Sequence, residues 1–281
     1  MTAQSELRAR VTPRWSVSAH RAYRECPRKA WLIRVANVPR DVDPSNHRGI
    51  VLHAGMAAGY SYLDQHGRDY SRITPGAVRN ELWWAVSCAV TEAALAAGMD
   101  SWDADEAYTT VIRALAHLGP QARDRVLGVE REMTAIVDGV TIVYRADVLY
   151  RRDGRVTLRD WKSNSELPRR YELVGDRQLG VGALCAARTF GVTEVDVEIA
   201  SIGAGVAVSA PMDRASALES ASAVADSARE FAQDREFEPT PGEACATCPV
   251  KRSCPVYVPD GRLIPVPDPQ DGQVVSGAVL P

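Results

Sequence analysis

Residues 128–163 read GVEREMTAIVDGVTIVYRADVLYRRDGRVTLRDWKS. The helical spacing of the preceding residues gives way here to strand character. Asp138-Gly139 is a hairpin signal, because a two-residue turn that matches strand twist needs two positive φ angles. The pattern predicts strands over 128–137, 140–150 and 155–163, with a second turn at Arg152-Asp153-Gly154. Downstream, Asp176 is the expected cap of a helix running to about Phe190. Strands over 194–201 and 205–210 follow, then a helix from 213 to about 235. Upstream, Ser18 is the expected cap of a first helix that Pro27 interrupts just after Cys26. A second helix covers 48–66, and a third, with Thr74 as cap and Pro75 at its first position, reaches about Ala97. A fourth, capped by Asp103, ends before Gly119-Pro120. The reading is an α/β chain with a mixed sheet flanked by helices. Its expected parts are a helical region over 1–125 with Cys26 and His53, a core over 126–238, a cysteine-rich segment over 239–258 and a disordered tail over 259–281.

Composition excludes several classes. The chain has 281 residues, 46% hydrophobic and 25% charged, which rules out a collagen-like fibre and a mostly disordered chain. No apolar run reaches the roughly 20 residues that cross a bilayer, so no membrane association is expected. MTAQSELRAR has no apolar signal segment, so a cytoplasmic, reducing compartment without disulfides is expected. The net charge of −3 is unevenly spread. Residues 1–40 hold nine Lys/Arg against two Glu, and 213–243 hold eight acids against three bases. A basic segment can meet phosphates within an acidic chain, or be a solvated face. No phosphate-loop pattern is present, so any strand unwinding falls to a partner.

One acidic constellation carries chemistry. Side chains on a strand alternate faces, so Asp160 and Lys162 project to one side of the third strand, and Asp147 can lie beside Asp160. Two adjacent carboxylates repel, and a hard divalent cation removes that cost. Mg²⁺ or Mn²⁺ is the expected ion, with the Trp161 backbone carbonyl as a further ligand and His53 as an imidazole ligand. Lys162 is placed to orient water or steady charge on a phosphate. Glu130 can hold a metal-bound water, although Glu132 shares its face and the choice stays open. Gln178 can position water or Lys162.

A second constellation is sulfur. Cys245, Cys248 and Cys254 form C-x2-C-x5-C, and Cys26 is the natural fourth thiolate. Pro27, Pro249 and Pro255 each follow one of these cysteines. Four thiolates suit tetrahedral zinc or a cubane iron–sulfur cluster, and spacing alone leaves both open. Cys88 and Cys185 lie in apolar helical patterns and read as core residues. The basic residues Arg21, Arg24, Arg28 and Lys29 surround Cys26 and are candidate DNA contacts. Trp15, Tyr23 and Trp31 can stack on bases or pack between helices.

The order of these features resembles the RecB-like branch of the PD-(D/E)xK nuclease superfamily. SVSAHRAYRECPRKAW at 16–31 is similar to the branch's Ser helix running into Cys-Pro, and Gly49 to His53 to its Gly-x-x-x-His. An acidic strand, YRADVLY, and Asp160-Trp161-Lys162-Ser163 then stand where the branch has Asp-Tyr-Lys-Thr. The branch's following helix often carries Gln-x-x-x-Tyr. Here Gln178 is present and the fourth position on is Gly182. The resemblance covers about 16–256. It implies a restriction-endonuclease-like core and a metal-dependent DNA exonuclease on single strands or DNA ends, 5′ to 3′. The implied settings are CRISPR adaptation, phage recombination or repair. The one-plus-three cysteine pattern resembles the AddB subunit and the CRISPR-associated RecB-like exonucleases, which implies a [4Fe-4S] cluster. A helicase or CRISPR adaptation proteins are the implied partners, and a homo-oligomer is a candidate state. The competing readings are a non-catalytic DNA-end-binding scaffold subunit and a zinc-stabilised RNA-processing nuclease.

Overall fold

A computed structural model describes residues 14–41, 44–66, 77–121, 123–164 and 166–257. The expectations at Thr74 and Pro75 and for the tail lie outside those residues. In chain order the elements are β1 (Arg14–Ser16), α1 (Val17–Glu25), α2 (Pro27–Arg34), α3 (Pro44–His66), α4 (Ala77–Ala97) and α5 (Ser101–Leu118). The strands β2 (Arg125–Val137), β3 (Val140–Arg152) and β4 (Arg155–Lys162) follow. Then come α6 (Arg170–Gly175), α7 (Arg177–Phe190), β5 (Val195–Ser201), β6 (Val206–Met212) and α8 (Arg214–Gln233). The sheet order is β1-β3-β4-β5-β6, with β2 also on β3. It is mixed: β3–β4 and β5–β6 are antiparallel, whereas β1–β3 and β4–β5 are parallel. No helix among the described residues is long and apolar enough to cross a membrane.

The expected meander is present, and its turns explain it. Asp138 and Gly139 have φ of 48° and 79°, and Asp153 and Gly154 have 49° and 84°. Both pairs supply the left-handed angles that a tight hairpin needs. Two caps differ from expectation. Ser16, not Ser18, caps α1 through Ala19 N, and Asp100, not Asp103, caps α5 by accepting from Asp103 N at 2.8 Å. The capping side chain lies two residues upstream of the expected one in α1 and three residues upstream in α5. The strand β1 and helix α6 carry no periodic signal and were not expected.

The chain divides into two compact units. One consists of Met1–Asp43, Thr134–Val143 and Ala221–Pro281. Its core gathers Trp31, Leu32, Val38, Phe237 and Val250, with Phe231 packed against them. Trp15 donates from Nε1 to Ser227 Oγ at 2.9 Å, and His20 Nδ1 lies 2.9 Å from the same hydroxyl.

The other unit consists of Pro44–Met133 and Tyr144–Ser220. Here α3, α4 and α5 bury Val51, Leu52, Met56, Val86, Val111 and Leu115 together with Val148, Trp161 and Ala200 of the sheet. The two-residue period of β4 divides its side chains. Arg159 hydrogen-bonds Tyr60 of α3, and Trp161 packs on that ring at 5.5 Å. Asp160 instead bonds Gln178 of α7, and Leu158 meets α7 at Gly182. Arg159 is buried with Glu198, Tyr150 and the Leu118 carbonyl as further partners. Removing one partner from such a buried pair costs about 3–5 kcal/mol.

Candidate metal centre

Register creates the site. The β3–β4 ladder runs from Arg152↔Arg155 to Val148↔Arg159 and stops there. One residue further on, Asp147 fills the gap with its side chain, and Oδ2 accepts from Trp161 N at 2.7 Å. The N–H and C=O of one strand residue point to the same edge, so the Trp161 carbonyl lies on the edge that Asp147 faces.

The other Asp147 oxygen faces α3. His53 Nδ1 lies 3.7 Å from Asp147 Oδ1, a charge contact longer than a hydrogen bond. The imidazole stands edge-on to Trp161, with ring centres 5.8 Å apart. Glu130 of β2 completes a trio. One donor atom each from His53, Glu130 and Asp147 lies within 4.8 Å of the other two. Among the described residues the clustered glutamate is therefore Glu130, not Glu132. Its backbone is in the left-handed region at φ 48°, inside a strand. A strained non-glycine residue of this kind costs about 1–3 kcal/mol and clusters at functional sites.

Asp160 sits beside the trio without joining it. Gln178 Nε2 donates to its Oδ1 at 2.6 Å. Lys162 Nζ forms an ion pair with Oδ2 at 2.5 Å. Oδ2 is buried and has no further hydrogen-bond partner among the described residues.

The electrostatics fit a cation. Burial, then the Asp147 charge, raises the Glu130 carboxyl above its ordinary range, with Arg145 and His53 opposing. Asp160 is raised by the same two causes, with Lys162 opposing. Burial opposes protonation of His53, but Asp147, Asp160 and Glu130 outweigh it and hold the imidazole above its ordinary value. Three carboxylates thus compete for few positive charges. The buried Asp160 carboxylate beside Lys162 and an O,O,N donor set from His53, Glu130 and Asp147 suit Mg²⁺ or Mn²⁺ rather than a soft metal.

Two further residues belong to this place and were not singled out in the sequence. Arg145 pairs through Nε with Glu130 Oε2 at 2.8 Å. It lies two residues before Asp147, so strand alternation carried the signal. Tyr144 hydrogen-bonds Gln178 and is almost wholly buried, and burial pushes its hydroxyl well above the ordinary value. Gly182 makes room for it: a Cβ there would lie 2.7 Å from Tyr144 Cζ and 2.6 Å from Leu158 Cδ2. A tyrosine from β3 thus reaches Gln178 where α7 has only a glycine. No local pattern in the sequence announces that exchange.

In the first unit, Cys26, Cys245, Cys248 and Cys254 line one cavity together with Lys29 and Lys251. None of the four is in a disulfide. Burial raises the Cys248 thiol, while the Val250 backbone and Lys29 oppose it. Cys26 separates α1 from α2 in an extended conformation, and its Sγ accepts from Thr240 N at 3.5 Å. Of the basic residues nearby, Arg24 forms a two-pronged pair with Glu230 at 2.6 and 2.9 Å. Lys29 pairs with Glu25 at 3.0 Å, Arg28 donates to the Glu236 carbonyl at 3.3 Å, and Arg21 is exposed. Trp15 and Trp31 are buried and pack in the core, and Tyr23 donates to Asp234 at 3.1 Å.

Comparison with known proteins gives one family. The profile of the PD-(D/E)XK nuclease superfamily matches residues 14–255. A solved structure, described as the crystal structure of SSO0001, aligns over 73% of this chain and 85% of its own. It is 15% identical, with a TM-score of 0.33. No curated protein matches.

Proposed function

The chain belongs to the PD-(D/E)XK nuclease superfamily, and from that premise we propose that it is a metal-dependent DNA exonuclease acting on single strands or DNA ends, 5′ to 3′. The observation that supports this most is the convergence of His53, Glu130 and Asp147 beside the Asp160–Lys162 pair. His53, Asp147 and Asp160 would hold Mg²⁺ or Mn²⁺, with the Trp161 carbonyl and Glu130 assisting. A bound cation of this kind lowers the pKa of its water and polarises the phosphate. Lys162 places an ammonium where negative charge grows on the scissile phosphate, and Gln178 holds Asp160 against rotation. Water then attacks phosphorus and the P–O bond to the leaving nucleotide breaks. Arg21, Arg24, Arg28 and Lys29 are the proposed DNA contacts of the first unit.

The four cysteines are the proposed ligands of a [4Fe-4S] cluster that ties α1 and α2 to the C-terminal segment, so that cluster binding adds to folding stability. The setting is DNA processing in CRISPR adaptation, phage recombination or repair, with strand separation supplied by a helicase.

Two experiments test this reading. Single-stranded DNA labelled at the 5′ or the 3′ end is incubated with Mg²⁺ or Mn²⁺, beside a circular single strand and an RNA of the same sequence. Early release of the 5′ label with the circle intact is expected. Cleavage of the circle, or of RNA alone, overturns the exonuclease assignment. Anaerobic purification followed by iron and sulfide quantification should give about four irons per chain. Stoichiometric zinc would replace the cluster by a zinc site.

A further inference from the structure

Arg145 pairs with a carboxylate that the metal centre also needs. Its Nε lies 2.8 Å from Glu130 Oε2, yet the arginine side chain is 58% exposed. Glu130 is at the same time one of the three clustered donors. A dication and a guanidinium repel each other, so a cation that takes Glu130 weakens the Arg145 pair. The guanidinium is then left exposed beside the reaction centre. Its planar fork of donors matches phosphate oxygens. Lys162 shares this feature through Asp160 and is already assigned to the scissile phosphate, whereas the paired cations of the first unit differ. Arg24 and Lys29 are held by Glu230 and Glu25, which are not among the clustered donors.

We propose that Arg145 grips a phosphate of the nucleic-acid backbone at this centre, and that Glu130 keeps it in reserve until a divalent cation takes that carboxylate. The proposal rests on the metal-centre reading above. It makes cation and nucleic acid bind cooperatively, and such coupling is reciprocal. The site closes on a substrate only when loaded, which keeps the unloaded protein from holding DNA unproductively.

The test measures binding rather than turnover. Fluorescence anisotropy follows a single-stranded phosphorothioate DNA with and without Mn²⁺, and electron paramagnetic resonance follows Mn²⁺ alone. In the unmodified protein Mn²⁺ should tighten DNA binding about tenfold or more. Arg145→Gln should bind Mn²⁺ as tightly as the unmodified protein or more tightly, and should lose the Mn²⁺-dependent gain. Arg145→Lys should keep part of it. Because the side chain is exposed, both variants should fold, which melting by circular dichroism checks. If Arg145→Gln keeps the full gain, the proposal is overturned. If it loses Mn²⁺ binding, Arg145 only braces Glu130 and the proposal is again overturned. An unmodified protein that binds no Mn²⁺ removes the metal centre itself, a failure distinct from the other two.

Discussion

At the scale of single residues, the site balances one buried and two half-buried carboxylates against few positive charges. His53 and Glu130 are both held above their ordinary pKa values. Each must lose its proton to bind a cation. A raised pKa means that the proton is retained to higher pH, so cation binding fails earlier on acidification than for unperturbed groups. Mn²⁺ affinity should therefore still be rising as the pH passes the ordinary histidine value of about 6.5. The same titration on His53→Gln should be flatter there. Gly182 gives a second test. Alanine in place of a mid-helix glycine normally gains up to about 1 kcal/mol. Here its Cβ would meet Leu158 and Tyr144 at 2.6 and 2.7 Å, and both are buried. Overpacking of that kind costs about 1–3 kcal/mol and wins. Gly182→Ala should lower stability in a urea melt, whereas a neutral result would mean that Tyr144 moves freely. The nearness of Asp160 and Lys162 was legible from strand alternation, because period two brings both to one side, whereas that of Asp147 also needed the hairpin pairing. The Tyr144–Gln178 bond was not legible, since it joins a strand to a helix across a glycine.

At the scale of elements, helix α3 delivers His53, and its seating depends on close approach. A Cβ at Gly55 would lie 2.8 Å from Val90 Cγ2 and 2.9 Å from Val111 Cγ2, and one at Gly59 would collide with Leu115. Gly55→Val should destabilise by about 1–3 kcal/mol and weaken Mn²⁺ binding, because His53 lies two residues away on the same helix. Helix α7 delivers Gln178 within its first turn, and Asp176 caps it by accepting from Leu179 N at 2.9 Å. Asp176→Ala should cost about 1 kcal/mol and slow turnover through the Gln178–Asp160 bond. A stability loss with unchanged turnover would separate the cap from the site. The strand order along the meander followed from two Asp-Gly turns whose angles the sequence dictates. The three residues of β1 pair with β3 in parallel, over a separation that no local pattern encodes. Helix α6 is a six-residue turn after Pro168, too short for a periodic signal.

At the scale of the whole molecule, the division into two units was not legible. One unit is assembled from three separated segments, including the tip of the β2–β3 hairpin, and no change of composition marks their ends. The grouping of Cys26 with the three C-terminal cysteines was legible, because ligand count demanded a fourth thiol. Both remaining cysteines were expected in the core, and only one of them is there. Cys185 is buried and its thiol is pushed up to about 12 by burial, whereas Cys88 is exposed. Alkylation of the native protein should label Cys88 and spare Cys185, as peptide mass mapping would show. The central claim is that hydrolysis depends on a divalent cation at this cluster of carboxylates and on Lys162. Its most direct test is the rate of single-stranded DNA cleavage with Mn²⁺ by the unmodified protein, Asp160→Asn and Lys162→Ala, each with and without a chelator. The account predicts cleavage that the chelator abolishes and that each substitution lowers at least about a hundredfold. Cleavage that survives the chelator, or that either variant retains in full, would contradict it.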